Sequence, residues 1–135
     1  MAEQPYDYSQ WLPGLRYAES RGEQDPYNAV GDGGQARGAY QLHPIMYRDI
    51  QRVYPKVWGQ RTYEQVLATP ATQDAVAMDG LRMLREHYGL QKDDHMVSGW
   101  NTGPTQARKG IRNQKYIDTV RQGMRKGKPP MQWFK

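Results

Sequence analysis

The sequence predicts one mainly α-helical domain of the α+β class, with a small hairpin or irregular lip. Three observations carry this. Residues 70–88 form a long amphipathic segment with a start and a stop signal, shorter segments with helical apolar spacing lie on both sides of it, and a stretch rich in Gly, Asn, Asp and Pro interrupts the chain at residues 20–38. At 135 residues the chain suits one compact unit. The reading is a domain over residues 1–127 and a basic, aromatic tail over 128–135.

Residues 7–19 place Trp11, Leu12, Leu15 and Ala18 on one helical face. Pro13 suits a first turn, so the regular helix is expected to begin near it. In residues 20–38, Gly31, Gly33, Gly34 and Gly38 permit tight turns and positive φ, and a hairpin within 27–42 is expected to form one lip of a cleft. Pro44 opens a short helix over 44–53, with Ile45, Ile50 and Val53 apolar. The segment 70–88 has Thr69 as N-cap, Pro70 in the first turn and Gly89 as stop. Its stripe of Ala71, Ala75, Met78, Leu81, Leu84 and Tyr88 predicts the buried centre of the fold. Asp93 or Asp94 is a candidate cap for a helix running through Met96 and Val97 to Trp100. A last helix over 113–124 presents Tyr116, Ile117, Val120 and Met124 on one face. Residues 127–135 read as an extended tail carrying Trp133 and Phe134.

Composition narrows the chemistry. There is no Cys, so neither a disulfide nor a thiolate metal site is available. His43, His87 and His95 lack ligand-like spacing, and no metal or cofactor is expected. No apolar run approaches the roughly 20 residues of a membrane span, and the polar start MAEQPYDYSQW has no leader-like pattern. The 10 Tyr and 4 Trp offer rings with apolar bodies and polar tips, which serve cores and sugar clefts alike. Charge is uneven. Residues 108–135 carry nine Lys/Arg against one Asp, whereas residues 1–107 carry ten Lys/Arg against thirteen Asp/Glu. The basic end suits an anionic partner, either a cell wall, an acidic protein or nucleic acid. No nucleic-acid-binding motif accompanies it, which counts against the last.

Glu19 is the candidate acid. It falls at the end of an apolar helix, just before the glycine-rich loop. A carboxyl there can be half-buried yet open to a cleft, and burial raises the pKa of a carboxyl toward that of a general acid at neutral pH. Taken alone, the position equally suits a solvated helix end.

The surrounding motifs decide between these. The segment AESRGEQDPYNAVGDGGQARGAYQLHP, residues 18–44, resembles the Glu-bearing block of the lysozyme-like lytic transglycosylases: Glu19-Ser20, then Asn28-Ala29-Val30, then Gly38-Ala39-Tyr40-Gln41-Leu42. A second block, an aromatic residue followed by N-x-G-P, is matched by Trp100 to Pro104. A third, Y-x-x-x-V in the last helix, is matched by Tyr116 and Val120. The three occur in the family's order. The resemblance implies a lysozyme-like fold and cleavage of the bond between N-acetylmuramic acid and N-acetylglucosamine in bacterial peptidoglycan, with the glycan strand as partner. It implies Glu19 as catalytic acid/base, Gln41 beside the scissile bond with Tyr40 next to it among the substrate-binding residues, Asn101 on a sugar amide or hydroxyl, and Tyr116 reaching Glu19 or the sugar.

One departure stands out. Many lytic transglycosylases have Ser after the Ala-Val pair, where this chain has Gly31-Asp32. The string GDGGQARGAYQL is also similar to invertebrate-type lysozymes, which hydrolyse the bond with a Glu and an Asp. Hydrolysis needs a second carboxylate, about 5–5.5 Å away as nucleophile or about 6.5–9.5 Å away as water-activating base. A transglycosylase needs one, because the muramoyl 6-hydroxyl attacks internally. Asp32 is therefore either that second carboxylate or a turn residue. A non-enzymatic alternative is a structural or wall-binding component of a phage particle. The small size and the lack of leader and disulfides fit a phage-encoded lysin, virion-associated beside other virion proteins or made at lysis, and acting in the periplasm or cell wall.

Overall fold

The computed structural model describes residues 5–126, so the tail with Trp133 and Phe134 lies outside the described residues. The chain is mainly helical with a two-stranded antiparallel sheet. A 3-10 turn at Tyr8–Trp11 leads into α1, Leu12–Ser20, with Pro13 in its first turn. The hairpin follows, with β1 at Val30–Gly31 and β2 at Ala36–Arg37, paired Val30 to Arg37 and Gly31 to Ala36. Then come α2 (Pro44–Val53), α3 (Pro55–Trp58), α4 (Tyr63–Leu67), α5 (Pro70–Arg82), α6 (Asp93–Thr102), α7 (Pro104–Arg108) and α8 (Gln114–Lys126). Among the described residues no helix is long and apolar enough to cross a membrane.

α5 is the buried centre. Thr69 caps it, its hydroxyl accepting from Thr72 N at 3.1 Å. After Arg82 the backbone widens into a π turn at Met83–His87 and stops at Gly89, where φ is +76°. The buried face differs from the predicted stripe. Leu81 and Leu84 are fully buried, Ala75, Met78 and Tyr88 half-buried, and Ala71 exposed, while Val76, Ala77, Gly80 and the polar Gln73 point inward. A helix packed on several sides buries a wider arc than an amphipathic stripe describes. Gly80 belongs to that arc because a Cβ there would lie 2.5 Å from Trp100 Cζ3.

α6 starts after Lys92 without a side-chain cap. Asp93 and Asp94 occupy its first turn, where a negative charge complements the helix dipole. Their carboxylates serve tertiary contacts instead of capping: Asp93 accepts from Tyr6 at 2.6 Å and Asp94 pairs with Arg121.

α1 and α8 meet at Gly14 and Gly123. A Cβ at Gly14 would overlap the carbonyl oxygen of Val120, and one at Gly123 would overlap Tyr17 Cβ and lie 3.0 Å from Gly14 Cα. This contact brings two backbones together without intervening side chains. It also sets the spacing of Glu19 and Tyr116, which lie on these same two helices.

Candidate active site

Glu19 is the penultimate residue of α1, and its neighbour locks the helix end in place. Ser20 is buried, with its hydroxyl 3.0 Å from Arg16 O and 2.9 Å from Ala39 O. It therefore ties α1 to the loop following β2. From the other side Gln73 of α5 holds the same loop. Its Oε1 accepts from Ala39 N at 2.9 Å, and its Nε2 donates to Tyr27 O and Leu67 O, each at 2.9 Å. Gly38 has positive φ and sits so close to this carboxamide that a Cβ would collide with it. The lip is thus fixed to the core by two buried side chains, Ser20 and Gln73, whose hydrogen bonds are used inward.

Gln41 adopts φ +50°, uncommon for a residue with a side chain, and its Nε2 donates to Gly38 O at 3.0 Å. Gly31 is extended rather than left-handed. It is glycine because a Cβ would overlap Gln41 Oε1. Asp32, Gly33 and Gly34 make the hairpin turn, all with positive φ. Asp32 is exposed there, its Oδ2 2.9 Å from Nε2 of His43, which precedes α2.

These elements enclose a small cavity of about 70 Å³ lined by Glu19, Gln41, Leu42, His43, Met46, Trp100 and Asn101. It adjoins a groove of about 810 Å³, with His43, Met46, Trp100 and Asn101 common to both walls. Three of the expected site residues, Glu19, Gln41 and Asn101, therefore meet in one place. Glu19 is the acid of the small cavity. Its pKa is raised above the ordinary carboxyl value by burial, against smaller lowering influences from the Tyr116 hydrogen bond and from His43.

Tyr116 comes from the first turn of α8. Its hydroxyl donates to Glu19 Oε2 at 2.6 Å. Burial, then the charge and hydrogen bond of Glu19, push its own pKa well above 10, so it stays a proton donor to the carboxylate. Asn101 is the penultimate residue of α6, its Oδ1 accepting from Asn113 Nδ2 at 2.9 Å. Asn113 also caps α8, accepting from Tyr116 N at 3.1 Å, and its own N–H donates to Ser98 at 2.8 Å. One side chain thus orients both Asn101 and the helix that delivers Tyr116. The sequence reading missed Asn113. Its signal was available, since Asn three residues ahead of an aromatic helix position is a capping pattern.

Tyr40 is corrected. It is only 2% exposed, does not line the cavity, and points beneath the lip. Its hydroxyl donates to Asp74 at 2.6 Å and accepts from Arg16 at 2.7 Å, with Tyr27 joining at Asp74. The physical reason is the turn at Gly38–Gln41: with Gln41 facing the cavity, its neighbour faces the core. Asp32 does not line the cavity either. Among the described residues no three His, Asp or Glu cluster in a way that could hold a metal ion.

No protein-family model matches this chain, and no curated protein or solved structure matches it.

Proposed function

We propose that this chain, a variant of the lysozyme-like fold, cleaves the β-1,4 bond between N-acetylmuramic acid and N-acetylglucosamine in peptidoglycan as a lytic transglycosylase. The observation that carries the reading is the environment of Glu19. It is the carboxyl of a small cavity, held toward its protonated form by burial, adjoining a groove large enough for a saccharide. The three sequence blocks that resemble the transglycosylases supply the residues around it.

In this mechanism Glu19 gives its proton to the glycosidic oxygen as the bond to the muramoyl anomeric carbon breaks. The electron pair of that bond leaves with the glucosamine as its hydroxyl. The muramoyl 6-hydroxyl then attacks the anomeric carbon and returns a proton to the Glu19 carboxylate, giving a 1,6-anhydro sugar and restoring the acid. Tyr116 orients the carboxyl and supports its charged form midway. Gln41 and Asn101 present carboxamides to the sugar. The position of Asp32 supports one-carboxyl chemistry: it sits exposed in the hairpin turn, engaged with His43 and off the cavity wall. Asp49, on the adjoining groove, is already committed to Arg52 and Tyr88.

Mass spectrometry of peptidoglycan digested by the purified chain tests the proposal. Anhydro-muramoyl ends are expected. Reducing muramic ends would reassign the chemistry to hydrolysis, and a digest without fragments would remove glycan cleavage.

A further inference from the structure

The 70 Å³ cavity at Glu19 is too small for a sugar ring with its substituents, so substrate must extend into the adjoining groove. The walls of that groove are specific. α2 forms one side and the α6–α7 corner the other, and Tyr88 also lines it. Ile45, 76% exposed despite its apolar side chain, stands on the rim.

The charges of the groove are unequal. Arg52 pairs with Asp49 and donates to the hydroxyl of Tyr88 at 3.1 Å, and that hydroxyl donates to Asp49 at 2.6 Å. That set is closed. Arg48 lies on the same wall, one helical turn before Arg52, and among the described residues no carboxylate lies within ion-pairing distance of it. With Arg52 met by Asp49, Arg48 is the guanidinium of this wall that a ligand can use. A neutral sugar offers a guanidinium only single hydrogen bonds to its hydroxyl and amide oxygens, whereas a carboxylate matches both its charge and its planar fork. Met46, two residues before Arg48 on α2, lines the cavity shared with Glu19, so Arg48 lies about 3 Å farther along the helix axis.

Resting on the glycan-cleavage reading above, we propose that this groove binds the peptide substituent of a muramoyl residue next to the cleavage site, with Arg48 pairing to a carboxylate of that peptide. In stem-bearing peptidoglycan the muramoyl lactyl carboxyl is tied up as an amide, so the free carboxylates belong to the peptide. The groove then makes the chain selective for glycan that still carries its stems.

The experiment compares wild type, Arg48→Gln, Arg48→Lys and Arg48→Glu on two substrates of equal length. One is peptide-bearing glycan strands, and the other is the same strands after amidase has removed the peptides. Arg48 is exposed, and circular dichroism with a melting curve verifies that each variant is folded. Wild type is expected to prefer peptide-bearing strands by about tenfold in kcat/KM, the size of one charge-assisted contact. Arg48→Gln should remove that preference, Arg48→Lys should keep part of it and Arg48→Glu should reverse it. A wild type that cuts both substrates equally, or a preference that survives Arg48→Gln, overturns the proposal and leaves glycan cleavage standing. A wild-type preference for stripped strands would assign Arg48 to the lactyl carboxylate and overturn the peptide assignment. A folded wild type that cuts neither substrate overturns both readings.

Discussion

The hydroxyl of Tyr116 donates to the carboxylate of Glu19 at 2.6 Å across 97 positions of sequence. The two side chains come from helices that cross at a pair of glycines, so a backbone contact and a proton-handling contact share one seam. Burial and the phenol act on Glu19 in opposite directions. Burial, the larger influence, raises its pKa and the phenol lowers it.

Glu19→Gln should reduce glycan cleavage by about 10²–10⁴-fold, the usual loss of a general acid. It should also stabilise the fold at neutral pH. The folded-state pKa of Glu19 lies above the unfolded value of about 4.3, so the folded chain holds the proton more tightly. The stability this contributes is complete below the unfolded pKa and is lost as pH rises through the folded one. Gln keeps an uncharged group at every pH. Melting curves should therefore place the variant above wild type at pH 7 and level with it near pH 4. A variant less stable at pH 7 would contradict this.

Tyr116→Phe removes the bond that favours the charged carboxylate, so the pKa of Glu19 should rise further. The alkaline limb of the pH–rate profile, where the acid loses its proton, should move to higher pH. The maximal rate should fall about tenfold as the carboxyl loses its orientation, the cost of one good hydrogen bond. A limb that stays in place or moves down would show that the phenol does not act on the proton of Glu19.

Asp32→Asn tests the number of carboxylates. Asp32 has φ +49°, a conformation that Asn also tolerates, so the turn should keep its shape. Activity should change little, and the products should keep anhydro ends. A loss as deep as that of Glu19→Gln would place Asp32 in the reaction.

Gly123→Ala opposes two effects. Helix propensity alone favours Ala by about 1 kcal/mol. The added methyl, however, collides with Tyr17 and crowds Gly14, pushing α1 off α8. We expect net destabilisation of about 1–3 kcal/mol by thermal or urea unfolding. Cleavage should fall at temperatures where the variant is still folded, because Tyr116 moves with α8. A stabilised, fully active variant would mean the helices separate freely.

Local signals made much of this fold legible. Pro44, Thr69 with Pro70, and Gly89 each mark a helix boundary where the structure has one, and the glycine-rich stretch folds into the hairpin. Each is a short-range effect of φ restriction or capping. Glu19, Gln41 and Asn101 were legible as one site because their motifs were, not because spacing along the chain can reveal a cavity. What escaped depends on partners far away in sequence. Gln73 reads as an exposed polar residue of a helix until Ala39, Tyr27 and Leu67 are placed around it. Tyr40 reads as a cleft residue until the turn beside it reverses its direction. Gly14 and Gly123 read as weak points in helices until the helices touch.

The Gln73 contact bears on how the lip moves. The amide of Ala39 is buried and bonded to a buried side chain in the first turn of α5, so it has no local route to solvent. Its hydrogen should exchange with deuterium only when the whole domain opens, at the rate of the slowest core amides, while amides at the Asp32–Gly34 tip exchange early. The lip root and the core then form one cooperative unfolding unit, and the wall of the cavity is already folded before any ligand arrives rather than being a flap that must close over it.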